Sequence, residues 1–177
     1  ALELAPPPDA AVLDLGTGTG AIALALASER PGWQVTGVDA SEEALALARR
    51  NAANAGLGEA VFEHSDWFAA LAGRRFHLVV SNPPYIDAAD PHLQQGDVRF
   101  EPRSALVARD SGLADLAHIA RTAPGYLAPG GWLLLEHGCE QGEAVRELRG
   151  EAGVENVATR RDLAGLERVS GGCRRAD

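Results

Sequence analysis

Short apolar runs alternate with helix-forming stretches along most of this chain. Ala11 to Leu15, Trp33 to Asp39, Val61 to His64 and Phe76 to Val80 are short stretches rich in apolar residues that read as strands, the first and last of them nearly continuous apolar runs. Ala21 to Ala27 is a strong helix former, and Ala44 to Asn54 predicts a second helix. Ser41 can cap that second helix, with Glu42 and Glu43 in its positive first turn and Gly56 at its end. Later, a helix opens at Ser111 and continues to about Ala123. Pro129-Gly130-Gly131 then turns the chain into a fifth strand, Trp132 to Glu136. Gln141 to Leu148 reads as an amphipathic helix, and Val154 to Thr159 and Glu167 to Ser170 as the last strands. Strands alternating with helices predict an α/β fold, a Rossmann-like doubly wound sheet. The long polar connection from Ile86 to Asp110 has little helical signal and is expected to form part of a wall over a substrate.

Composition narrows the classes. The 177 residues are expected to form one core-bearing domain, with 46% hydrophobic and 23% charged residues as in ordinary globular proteins. No apolar run approaches the ~20 residues that cross a bilayer, and no signal peptide precedes the first strand. Sixteen basic against twenty-five acidic residues leave a formal charge of −9, the opposite of the balance that grips nucleic-acid phosphates. Cys139 and Cys173 show no metal or redox spacing and read as free thiols of a reducing cytoplasm. Residues 1–10 read as the end of an interdomain helix and a proline linker, and 11–177 as the domain. With no initiator Met, a piece of a longer protein is expected.

The candidate chemistry gathers where strands end. Gly16-Thr17-Gly18-Thr19-Gly20 joins the first strand to the first helix, and its G-x-G-x-G spacing differs from the dinucleotide G-x-G-x-x-G. Together with Asp14 near the strand end, it suits a nucleoside ligand without a pyrophosphate; a tight turn with no ligand is the competing explanation. Asp39 ends the second strand, where a carboxylate can accept from both ribose hydroxyls, provided Ser41 does the capping. After the third strand come Ser65-Asp66-Trp67-Phe68. There Asp66 could accept from an adenine amino group and Trp67 could wall the base, or both could be structural. The fourth strand runs into Ser81-Asn82-Pro83-Pro84-Tyr85, a rigid extended turn presenting an amide and an aromatic ring. His64, His77, His92, His118 and His137 lack ligand spacing and read as surface or packing residues; no metal site is indicated.

Val12 to Gly20, Val38-Asp39, Ser65-Asp66-Trp67 and Ser81 to Ile86 come in the order and spacing of a class I S-adenosylmethionine methyltransferase. The chain resembles more narrowly the HemK/PrmC family of bacterial release factor glutamine methyltransferases. Gln94 to Pro102, Leu134-Leu135-Glu136-His137-Gly138 and Arg161 to Val169 carry that narrower likeness. It implies a seven-stranded sheet, mostly parallel, whose last strand runs antiparallel. It implies S-adenosyl-L-methionine as cofactor, S-adenosyl-L-homocysteine as product, and N5-methylation of the Gly-Gly-Gln glutamine of class I peptide chain release factors. Cofactor-binding positions carry over onto Gly16, Thr17, Gly18, Thr19, Gly20, Asp39, Trp67 and Asn82. Substrate-binding positions carry over onto Asn82, Pro83, Pro84 and Tyr85, with Asn82, Pro83 and Tyr85 catalytic. The family's helical N-terminal domain has no counterpart here. A monomer that binds neither membrane nor nucleic acid is expected.

An amide nitrogen is a poor nucleophile because its lone pair is delocalised. Two acceptors, the Asn82 side-chain oxygen and the Pro83 carbonyl, can hold both hydrogens of the substrate NH₂ and aim that lone pair, with Tyr85 packed on the amide plane. The same device serves any planar exocyclic NH₂, so a methyltransferase acting on adenine N6 or guanine N2 is the alternative. From another class, a non-catalytic S-adenosylmethionine-binding module is the third.

Overall fold

The computed structural model describes residues 1–4, 6–84, 113–151 and 153–176. The strands are β1 (Ala11–Leu15), β2 (Gln34–Asp39), β3 (Val61–His64), β4 (Phe76–Ser81), β5 (Leu127–Glu136), β6 (Val154–Arg161) and β7 (Glu167–Arg174). The helices are α1 (Ala21–Glu29), α2 (Glu42–Ala55), α3 (Ala114–Thr122) and α4 (Gly142–Glu151). One sheet forms in the order β3-β2-β1-β4-β5-β7-β6. β1 pairs parallel with β2 and β4, β2 with β3, and β4 with β5; β7 pairs antiparallel with both β5 and β6. The seven-stranded Rossmann-like sheet with a reversed last strand is therefore as expected.

The two-residue period of the strands sorts side chains to opposite faces. On β1, Leu13 and Leu15 join Leu116 and Ile119 of α3 and Val145 of α4 in one core. Val12 joins Ala23 and Leu26 of α1 and Leu45, Ala48 and Ala52 of α2 in the other. Ser41 caps α2 by accepting from the Ala44 N–H at 3.2 Å, and Gly56 ends it in the left-handed region.

The boundaries differ from expectation in physically explicable places. The segment Pro129-Gly130-Gly131 lies inside β5 and not before it. Between the pairs Phe76–Leu127 and Leu78–Trp132, β5 carries extra residues that bulge from the ladder, with Gly130 at φ 71°. Sequence patterning reads Pro-Gly-Gly as a turn because it lacks the neighbouring strand that keeps the chain in register. α3 starts at Ala114, later than Ser111. Leu2–Leu4 form a single 3-10 turn in place of an α-helical end, with Leu2 and Leu4 resting on the α1/α2 core. The linker that follows is pinned by the Trp33 indole N–H, which donates to the Pro7 carbonyl at 3.1 Å. No helix among the described residues is long and apolar enough to cross a membrane.

Candidate active site

β1, β2, β3 and β4 all end at the same edge of the sheet, and the singled-out residues follow those ends. Leu15 of β1 pairs with Ser81 of β4, so Gly16 and Asn82 are next-door continuations of paired strands. The buried Ser81 hydroxyl donates to the Leu15 carbonyl at 2.8 Å and ties the two ends together. Beyond it Asn82 is exposed, Pro83 buried and Pro84 half-buried. The prolines thus wedge the turn into the protein while the amide side chain faces out. Tyr85 and the connection from Ile86 to Asp110 lie outside the described residues.

The glycine turn is built around a carboxylate. Gly16, Gly18 and Gly20 have φ of 66°, 55° and 81°, the left-handed region that glycine enters without penalty. At Gly18 a Cβ would meet nothing within 4 Å, so the turn opens onto free space there. Gly20 is the N-cap of α1 and offers no capping side chain. Asp14 takes that role from inside β1: its Oδ2 accepts from the Ala23 N–H at 3.1 Å and from the Thr17 hydroxyl at 2.7 Å. Its Oδ1 is buried and has no hydrogen-bond partner among the described residues. Burial, the largest influence, pushes the Asp14 carboxyl up to about 6 against the bonds from Thr17 and Ala23. In the sequence Asp14 tells the turn from a dinucleotide motif; its further role follows from its being an acid on an inward face of an otherwise apolar strand, where a buried carboxylate needs partners for its oxygens.

Asp39, at the tip of β2, is less free than Ser41's capping role suggested. Its Oδ2 accepts from the Gly18 N–H at 2.9 Å and its Oδ1 from the Ser41 N–H at 2.8 Å. Each carboxylate oxygen keeps a further lone pair, so Asp39 both fixes the turn and retains acceptor capacity toward a diol. Asn51 adds a bond from its side-chain NH₂ to the Thr19 carbonyl at 2.9 Å. Thr17 is buried and Thr19 exposed. Trp67 sits at φ 47°, uncommon for an aromatic residue, with its ring 3.4 Å from the place a Cβ on Gly16 would occupy. The Ser65 hydroxyl holds that conformation by donating to the Trp67 carbonyl at 2.7 Å and accepting from Ala70 N–H at 3.1 Å. Its neighbours divide: Asp66 is exposed, whereas Phe68 is core and stacks on Tyr126 at 4.6 Å. Gly16 to Gly20, Asp39, Trp67 and Asn82 therefore share one edge, with donors, acceptors and an aromatic wall for a nucleoside.

This sheet order, with a glycine turn after the first strand and an acid at the tip of the second, defines the Rossmann-like methyltransferase class. A methyltransferase from Pyrococcus furiosus superposes with a TM-score of 0.74 over 98% of this chain and 79% of its own, at 19% identity. The model of the methyltransferase small domain family matches residues 2–98, and the chain belongs to that family. More specific relatives are release factor glutamine methyltransferases. That of Salmonella typhimurium is 59% identical over 161 residues, 91% of this chain and 58% of its own length. That of Escherichia coli is 56% identical over 170 residues, 96% of this chain and 61% of its own. The chain thus spans about three-fifths of these relatives.

The site's features fit S-adenosylmethionine. Among the described residues Asp14 Oδ1 lacks the hydrogen-bond partner that an ammonium group could supply, Asp39 keeps acceptor capacity that a ribose could use, and a Cβ at Gly18 would meet nothing within 4 Å.

Proposed function

We propose that this chain is the catalytic domain of a release factor glutamine methyltransferase, acting on the amide nitrogen of the glutamine in the Gly-Gly-Gln segment of class I peptide chain release factors. The observation that carries this is the exposed Asn82 held beside Gly16 by the Ser81–Leu15 bond, in a chain so similar to the two relatives. S-adenosylmethionine, when bound, supplies a methyl group made electrophilic by its sulfonium. Gly16 to Gly20, Asp14, Asp39 and Trp67 hold it, with Asn82 at the border of the two ligands. The Asn82 side-chain oxygen and the Pro83 carbonyl each accept one hydrogen of the substrate NH₂. With both hydrogens held, the nitrogen lone pair would be free to face the cofactor's methyl group, and positive charge developing on nitrogen would meet two carbonyl dipoles. Pro84 and, by the family likeness alone, Tyr85 are the remaining substrate-binding positions. As the N–C bond formed, the S–C bond would break with its electron pair left on sulfur, and the nitrogen would then shed one proton to water, so no histidine is required. The protein works as a monomer in the cytoplasm, without binding nucleic acid.

The test supplies methyl-labelled S-adenosylmethionine together with unmethylated release factor, duplex DNA or RNA, and maps labelled peptides by mass spectrometry. Label on the Gly-Gly-Gln glutamine is expected. Label on nucleic acid, with the release factor unmarked, would overturn the proposal.

A further inference from the structure

The edge that carries Asn82 carries a second built feature. Because β7 runs against β5, with Glu136 opposite Val169, the turn joining Arg161 of β6 to Glu167 of β7 projects from that same edge. Three strand steps separate β4 from β6 in the sheet, about 15 Å at the usual strand spacing.

Asp162 organises the turn. Its Oδ1 accepts from the Ala164 and Leu166 N–H groups, both at 2.9 Å, and its Oδ2 from Arg168 Nε at 3.2 Å. Backbone bonds from Asp162 N to Leu166 O at 2.8 Å and from Gly165 N to Asp162 O at 3.0 Å close it. On this tightly bonded turn Leu163 is fully exposed and Leu166 is 44% exposed. At the base of the turn, shared through Asp162, lies a hollow of about 480 Å³ lined by Glu136, Arg160, Arg161, Asp162, Arg168 and Val169. Three arginines line it beside the carboxylates of Glu136 and Asp162; Arg160 pairs with Glu3 at 3.4 Å and Arg168 with Asp162 at 3.2 Å, in a chain of formal charge −9. Asp162 is committed to the turn. Among the described residues the Arg161 guanidinium forms no direct ion pair, its bond going to the Gly165 carbonyl at 3.3 Å.

We infer that the β6–β7 turn docks the body of the protein substrate, an acidic side chain entering the arginine-lined hollow and an apolar one covering Leu163 and Leu166. This rests on the protein-substrate function proposed above. A glutamine loop held at Asn82 belongs to a body wider than about 15 Å, so that body overhangs the turn, whereas cofactor or a lone amide does not reach it. The Arg161 guanidinium, without a direct ion pair among the described residues, favours one acidic side chain. Two exposed leucines disfavour a phosphate backbone.

Leu163→Asp and Arg161→Glu, placed in the full-length protein, test this with intact unmethylated release factor as substrate. Each is expected to raise KM about tenfold while kcat at saturation and the cofactor Kd stay within twofold; the unchanged cofactor Kd reports that the variant is folded. Unchanged KM in both variants, with the wild-type protein methylating the release factor, would overturn the docking surface alone. A wild-type protein that labels no release factor would overturn the substrate assignment, and the docking surface with it. RNA labelling weakened by Arg161→Glu but not by Leu163→Asp would mark the hollow as a phosphate site and exclude the protein contact.

Discussion

Asn82 stands at the end of a strand whose last residue, Ser81, is itself bonded across to β1. That bond fixes the strand end from which Asn82 follows, and removing the side-chain oxygen takes away one of two acceptors proposed to orient the substrate nitrogen. Asn82→Ala is expected to lower kcat on the order of a hundredfold or more, with a much smaller effect on cofactor affinity; labelled-methyl transfer and calorimetric titration separate the two. Asp39 carries two duties in one carboxylate, since both oxygens already brace backbone N–H groups. Asp39→Ala is expected to weaken S-adenosylmethionine binding by roughly tenfold to a hundredfold, the range for a hydrogen bond to a charged group. Asp39→Asn, which keeps one acceptor, should recover part of that loss in the same titration.

At the scale of elements, the turn after β1 depends on how closely β2 passes behind it. A Cβ on Gly37 would fall 2.7 Å from Thr17 Oγ1 and 2.8 Å from the Phe62 ring. Gly37→Ala must therefore displace either the threonine bonded to Asp14 or the ring packed between β2 and α2. A loss of about 1–3 kcal/mol is expected, the usual cost of overpacking, read from the denaturant midpoint, together with weakened cofactor binding. Legibility also varied by element. Asp39, Ser41 and Gly56 were readable because capping and strand-tip chemistry are local, and the structure retains Ser41 as the cap. The Pro129–Gly131 bulge was not readable, since only pairing with β4 distinguishes a bulge from a turn.

For the whole molecule, the buried Asp14 couples the site to stability. Its folded value of about 6 lies above the ordinary 3.8, so between these values the folded state holds a proton that the unfolded chain releases. Its contribution is greatest at low pH and is lost as pH rises through about 4 to 6. The total loss is a few kcal/mol, since a tenfold change in proton affinity corresponds to about 1.4 kcal/mol. Asp162 and Glu167, held below the ordinary carboxylate range chiefly by bonds from Leu166 N–H and Arg146 respectively, act with the opposite sign. The difference between wild type and Asp14→Asn isolates the aspartate. Denaturant unfolding from pH 4 to 7 should show the wild type losing stability relative to the variant as pH rises, and a parallel pair of curves would refute the assignment.

The order of strands and helices, the glycine turn, the acid at the β2 tip and the Asn-Pro-Pro turn were all determined by the sequence alone. Each depends on local rules: a period of two or of 3.6 residues, a cap, a ring that fixes φ. Tertiary structure decided what depends on neighbours distant in the chain. It put Gly16 beside Asn82 through the pairing of β1 with β4, and gave Asp14 the N-terminus of α1 to cap. It also brought the Asp162 turn to the edge that holds the site. Burial and cross-strand register are properties of the packed sheet, and no stretch of sequence carries them by itself.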